Sequence, residues 1–272
     1  MDASSFRRHL SFALPAALLA LVAVSQPLSA ADPGKVIRHA FPAAETGFDP
    51  AGAQDLYSAQ IEQVIFETLL SYDYLARPAK LVPLTAESLP QVTDDGKTYT
   101  LKIRKGIYFT PDPAFNGKKR ELVAEDFVYT LKRLIDPKLR SPWAWLVEDK
   151  IVGLDELAEA AKKGAKFDYD KKIPGLEAVD RYTLRIRLKQ TDFNLPFVLA
   201  HEPTSAVARE VIEKYADESG RAMSNPVGTD LSCSRTGCVH RRSSSRRTPG
   251  TAASSGISSL GAIPRTSVSS PR

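Results

Sequence analysis

The chain has 272 residues, 43% hydrophobic and 25% charged, with two cysteines. That composition suits a soluble globular protein with one large or two small domains and excludes a disulfide-rich scaffold. The formal net charge of +5 sits at the ends: Arg7 and Arg8 against Asp2 in 1–31, and seven Arg with no Lys, Asp or Glu in 231–272, which leaves 32–230 at −3 and removes the argument for a nucleic-acid partner.

The N-terminus reads as a secretory signal. Arg7 and Arg8 are its basic region, Phe12 to Val24 its apolar run, and Leu28-Ser29-Ala30 or Ser29-Ala30-Ala31 its small-residue cleavage site. The apolar run is short for a membrane span and Pro15 interrupts it. The expectation is a signal peptide over 1–31, no lipoprotein cysteine, and a soluble periplasmic product.

Beyond it, Lys35 to Phe41 predicts a short strand, broken by Asp49-Pro50. Apolar Ile61, Val64, Ile65 and Leu69 fall at helical spacing and predict a helix over Leu56 to Leu70, with Asp55 as N-cap. Asp73 to Pro83 reads as a loop with two prolines. In Tyr99-Thr100-Leu101-Lys102-Ile103-Arg104 the apolar residues alternate with polar ones, which predicts a half-buried strand entered through an Asp95-Gly96 turn. Gly106 to Phe109 predicts a second strand and Pro111 to Gly117 a loop. Helices are predicted over Leu122 to Ile135, stopped by Asp136-Pro137, over Leu154 to Lys163 and over Val207 to Tyr215. Thr183 to Leu188 alternates as a strand. The fold class is therefore α+β, with short strands, no internal repeat, and no regular alternation for a parallel Rossmann sheet.

Chemistry-bearing patterns are absent from the sequence. There is no Gly-rich phosphate loop, no HExxH, no Ser/His/Asp arrangement, no metal-ligand spacing and no cofactor motif. Glu125-Asp126, adjacent on a helix, point in different directions and suit first-turn capping rather than paired acid–base work. His39 and His201 lack partners in sequence, and Lys118-Lys119-Arg120 reads as a solvated loop.

Seven stretches carry a resemblance when taken in order. Phe48-Asp49-Pro50 is similar to an (L/F)DP turn, Ile65-Phe66-Glu67-Thr68-Leu69 to IFEGL, and Leu81 to Ser88 to LVPGLAES. Asp94 to Thr100 is similar to DDGKTYTF, Ala124 to Tyr129 to TAEDVVYS, Asp136-Pro137 with Ser141-Pro142 to DPxxxSP, and Val179 to Leu184 to a VDDYTVxIxL strand. Across about 190 residues the chain resembles the family 5 extracellular solute-binding proteins. The resemblance implies a periplasmic binding protein-like fold of the peptide-binding type (class II), with two lobes that close over a solute. It implies that Lys35 to about Arg77 and Asp192 to Thr229 belong to lobe I (domain spans 32–77 and 192–229), and that 78–191 is an inserted α+β platform domain. It further implies a monomer without catalytic activity, which takes an oligopeptide, a dipeptide or another small solute (nickel chelate, haem or opine) and delivers it to the membrane permease of an ABC importer. A periplasmic hydrolase is the competing class, and a basic tail on an anionic surface a third.

Carried over residue by residue, the segment after the DP turn, Gln54, Asp55 and Leu56, lines the solute cleft, as does the aromatic after the Ser-Pro pair, Trp143. Gln54 stands where some members have an acid. Asp55 also suits the N-cap, and Trp143 also suits core packing.

After Thr229 the pattern breaks. The family continues Gly-Pro-Tyr or Gly-Pro-Phe into a strand, whereas this chain reads Asp230-Leu231-Ser232-Cys233-Ser234-Arg235-Thr236-Gly237 and then collapses to Ser and Arg. Codons can be chosen for Thr-Gly-Pro-Phe-Met-Leu-Lys-Asp-Trp-Val from which loss of one G yields these residues and opens a Cys codon, as at Cys238. The expectation is a frameshift after Thr229, a disordered out-of-frame tail over 230–272, an accidental Cys233, Cys238 and His240, and a missing second lobe. Sequencing the gene across codon 229 checks this: an alternative frame encoding a Gly-Pro-aromatic continuation is expected, and its absence ends the idea.

Overall fold

In a computed structural model, residues 41–229 are described. The signal segment, the Ser/Arg tail and, apart from Phe41, the strand expected over Lys35 to Phe41 lie outside the described residues.

The first helix, α1 (Leu56–Ile65), starts where its cap chemistry dictates: the Asp55 carboxylate accepts from Tyr57 N at 3.0 Å and Ser58 N at 2.8 Å. Its end and its orientation depart from the sequence expectation. The helix stops at Ile65 because the next backbone groups are captured from elsewhere: Glu67 O by Ala206 N, and Thr68 O and Leu69 O by the 84–86 segment. Val64 stays exposed while Ser58 and Glu62 are buried. Ser58 docks that face by accepting from Thr46 N at 3.0 Å, so polar contacts override the apolar periodicity.

Leu70, expected at the helix end, instead begins β1 (Leu70–Tyr72), which pairs antiparallel with β2 (Leu81–Pro83). The expected loop over 73–83 is thus shorter and ends in a strand.

The main sheet is antiparallel. It contains β3 (Gln91–Thr93), β4 (Thr98–Lys102), β5 (Leu176–Asp180) and β6 (Thr183–Arg187), in the order β3-β4-β6-β5. The β3–β4 turn places Asp94, Asp95 and Gly96 at positive φ, a conformation that glycine adopts without cost. Register sets Tyr99 opposite Ile186 and Leu101 opposite Leu184, so one face is continuous apolar surface with Ile103 just beyond the strand end. The alternation read from the sequence is thus realised. The other face carries Thr100, Lys102 and the Glu177–Arg185 pair at 2.5 Å.

Over the apolar face lies α2 (Ala124–Arg133), burying Phe127, Val128 and Leu131, with Leu134 buried just past its end. The Asp126 carboxylate reaches back to Val123 N at 2.8 Å, which satisfies an orphan donor of the first turn. Two smaller expectations fail. Gly106 to Phe109 makes only a single bridge, Tyr108 to Glu121. Arg120 is not a solvated loop residue: its guanidinium binds Asp126 at 2.6 Å and Glu210 at 2.8 Å. Three further helices follow, α3 (Leu154–Lys162), α4 (Leu195–Val198) and α5 (Arg209–Tyr215).

One core cluster gathers Ala51, Leu69 and Leu70 together with Tyr99, Leu101, Phe127, Leu184 and Val227. Across it runs a buried ion pair. Arg133 donates Nη1 to Asp49 Oδ1 at 2.9 Å and Nη2 to Asp49 Oδ2 at 2.7 Å, with both side chains about 1% exposed or less. Ala51 N and Ala222 N complete the Asp49 carboxylate, and Gly220 O accepts from Arg133. Burial pushes the Asp49 carboxyl up, but the Arg133 guanidinium outweighs it and holds the group below its usual range.

Breaking such a pair strands a buried charge. Asp49→Ala is expected to destabilise the fold by about 3–5 kcal/mol, read as a lower urea midpoint with an unchanged slope. A loss under about 1 kcal/mol would show the pair to be solvated.

Candidate ligand-binding site

The turn after Asp49-Pro50 and the Ser141-Pro142 segment are laced together. Ser141 Oγ donates to Ala51 O at 2.6 Å, and Trp143 Nε1 donates to Ala53 O at 2.8 Å. Ser141 Oγ also accepts from Trp143 N at 3.2 Å, which fixes the residue before the short turn Ala144–Leu146. The indole is half-buried and packs against the core cluster, so one side of Trp143 is structural.

This lacing brings all four sequence-named residues to one locality. Gln54 and Leu56 are exposed, Leu56 at 65%. Asp55 is half-buried and fully engaged: besides capping α1 it accepts from Thr46 Oγ1 at 2.6 Å. Although burial pushes its carboxyl up, the hydrogen bonds from Ser58 and Thr46 hold it well below the usual carboxylate range. Asp55 is therefore an anionic fixture of the wall. Trp145 points elsewhere in function: it is 58% exposed and lies under the Lys150 ammonium, 5.9 Å from the ring centroid.

The structure adds residues that sequence reading set aside. The His201 ring lies 5.1 Å from the Trp143 ring, centroid to centroid, tilted by 53°. Its Nδ1 sits 3.0 Å from Glu202 Oε2 without the alignment of a hydrogen bond. Gln63 Nε2 on α1 donates to Glu202 Oε1. The His201 imidazole, with the Gln63 amide, holds the Glu202 carboxyl below its usual value. A lone histidine 58 positions from Trp143 gives no signal in sequence; only the fold makes it a neighbour.

Beneath this wall lies Glu62, 3% exposed, with Oε1 lacking a hydrogen-bond partner among the described residues. Burial, and then the charges of Asp49, Glu202 and Asp55, push its carboxyl up to about 8. The described residues hold no group of three or more His, Cys, Asp or Glu placed to bind a metal ion, and no helix long and apolar enough to cross a membrane.

The wall presents a hydrogen-bonded indole beside the exposed side chains of Gln54 and Leu56. The family model for the middle part of the bacterial extracellular solute-binding proteins, family 5, matches residues 80–230. The chain belongs to that family. Within it, the periplasmic oligopeptide-binding protein OppA of Escherichia coli K12 is 30% identical over 171 residues, covering 62% of this chain and 28% of the relative. The glutathione-binding protein GsiB of Escherichia coli O1:K1 / APEC is 29% identical over 184 residues, covering 68% of this chain and 29% of the relative. The solved structure of Burkholderia pseudomallei OppA superposes with a TM-score of 0.53 at 26% identity, over 70% of this chain and 33% of that one. The fold is thus the periplasmic peptide-binding type. This family 5 chain spans about a third of the length of the relatives it matches.

Burial of Glu62 makes stability depend on pH. Its folded-state value, about 8, lies above the ordinary 4.5. Between these the folded state binds a proton that the unfolded state has released, so stability falls as pH rises from about 4.5 to 8. Glu62→Gln should remove that slope, raising the unfolding midpoint at pH 8 while leaving it nearly unchanged at pH 4. Equal midpoints for variant and parent across the range would mean that Glu62 finds a partner when ionised.

Proposed function

We propose that this protein is a non-catalytic binder of peptides or peptide-like solutes, exported by a cleaved signal over 1–31 to the periplasm, where it serves an ABC importer through that importer's membrane permease. The observation that carries the reading is the Trp143–Ala53 hydrogen bond. It fixes a flat indole beside the exposed side chains of Gln54 and Leu56, an apolar face against which a peptide can stack. Family membership supports it, as do relatives named for oligopeptide and glutathione binding.

In this reading 32–77 and 192–229 are one lobe and 78–191 the inserted platform. The four-stranded sheet and α2, all inside 78–191, then serve as scaffold. Gln54, Asp55, Leu56 and Trp143 contribute one wall of the cleft, with Asp55 acting through its cap rather than by touching the solute.

Titrating the chain with a library of short peptides tests this. Ligand that binds only the folded state raises the unfolding midpoint in proportion to the logarithm of its concentration. Trp143→Ala should weaken the best peptide by about 2 kcal/mol, a typical hot-spot aromatic. A midpoint that no peptide moves would sink the proposal.

A further inference from the structure

A cavity of about 770 Å³ opens between α2, the 165–170 loop that follows α3, and α5. None of the residues placed at the Trp143 wall lines it. Its volume is that of a small-molecule site.

The floor is aromatic and held in place from behind. The Tyr169 ring lies 4.9 Å from that of Tyr129 and 4.8 Å from that of Phe167, centroid to centroid. The buried Lys132 donates Nζ to Tyr169 O at 2.7 Å and to Lys171 O at 3.0 Å, which pins the loop. Tyr169 OH donates to Asp136 Oδ2 at 2.5 Å. On the α5 side Arg209 binds Asp170 and, at 2.6 Å, Glu213, and its guanidinium lies 5.8 Å from the Tyr129 ring centroid.

Tyr129 is the group this packing leaves unanswered. The residue is 6% exposed, lines the cavity, and its hydroxyl makes no hydrogen bond among the described residues. A hydroxyl taken out of water without a partner costs free energy, so its placement calls for one. Burial pushes the phenol up to about 12, which keeps it protonated and a donor. The charges of the lining nearly cancel. Lys138 and Lys166 offset Asp136 and Asp168, and Arg209 is shared between Asp170 and Glu213. The remaining single negative charge disfavours an anion, and Arg209 already takes the place of a cation on the Tyr129 ring.

We propose that this cavity is a second ligand site, independent of the peptide reading, for an uncharged planar aromatic compound whose carbonyl oxygen accepts from the Tyr129 hydroxyl.

Titration of the full chain with coumarin, indole and coumarin-3-carboxylate, followed by NMR, tests this. Coumarin is flat, neutral and carries a carbonyl; indole is of similar size without an acceptor oxygen; the third compound adds an anionic group. Coumarin should bind about fivefold tighter than either. Tyr129→Phe removes a hydroxyl with no partner in the fold, so the protein should stay folded while coumarin falls to the level of indole and indole is unchanged. Ala165→Trp, at an exposed position of the lining, should abolish binding of both, and Trp143→Ala should alter neither. Absence of coumarin binding, or equal affinity for coumarin and indole, overturns the proposal. So does a coumarin affinity that survives Tyr129→Phe or Ala165→Trp, or one that Trp143→Ala removes.

Discussion

The bidentate contact between Asp49 and Arg133 is the constraint from which the rest of the arrangement follows. It joins the turn that opens α1 to the end of α2, and through Ala222 and Gly220 it recruits a third stretch of chain. Two buried opposite charges cost much to desolvate, and the arrangement is tolerable because every Asp49 lone pair is met. The geometry around Trp143 depends on that anchor: Ala51 and Ala53, whose carbonyls hold Ser141 and Trp143, follow directly from the Asp49 turn.

Local chemistry was legible in the sequence wherever a residue acts on its near neighbours. Asp55 caps the helix that follows it, and the alternation of Tyr99, Leu101 and Ile103 places all three inside. Five of the seven ordered motifs, from Leu81 to Leu184, fall inside the stretch 80–230 that the family model matches. What escaped reading is tertiary. The apolar spacing of Ile61, Val64 and Ile65 suggested a buried face that Ser58 and Glu62 occupy instead, because hydrogen bonds to the Thr46 region turn the helix. The strand at Leu70 was hidden because its partner, β2, sits in a proline-bearing stretch. Arg120 looked like one member of a solvated basic run; its acids, Asp126 and Glu210, lie six and ninety positions away.

The site was half legible for the same reason. Gln54, Asp55, Leu56 and Trp143 came from motif positions and do lie together. His201 and Glu202 did not stand out, because a single imidazole and a single carboxylate acquire meaning only beside an indole. Glu62 is the sharper case. A carboxylate in a helix normally signals the solvent side, and here it marks the interior, at the point where three other acids converge.

Gly228 closes the described region against α1 so tightly that a β-carbon there would sit 1.8 Å from Ile65 O, and its own carbonyl receives Thr110 N. This has a consequence for the order of assembly during translation. Asp49 is synthesised early, Arg133 midway, and the 220–228 stretch that completes both the carboxylate and the α1 seat follows both. The Asp49–Arg133 pair can therefore gain its full set of partners only once the 220s have left the ribosome.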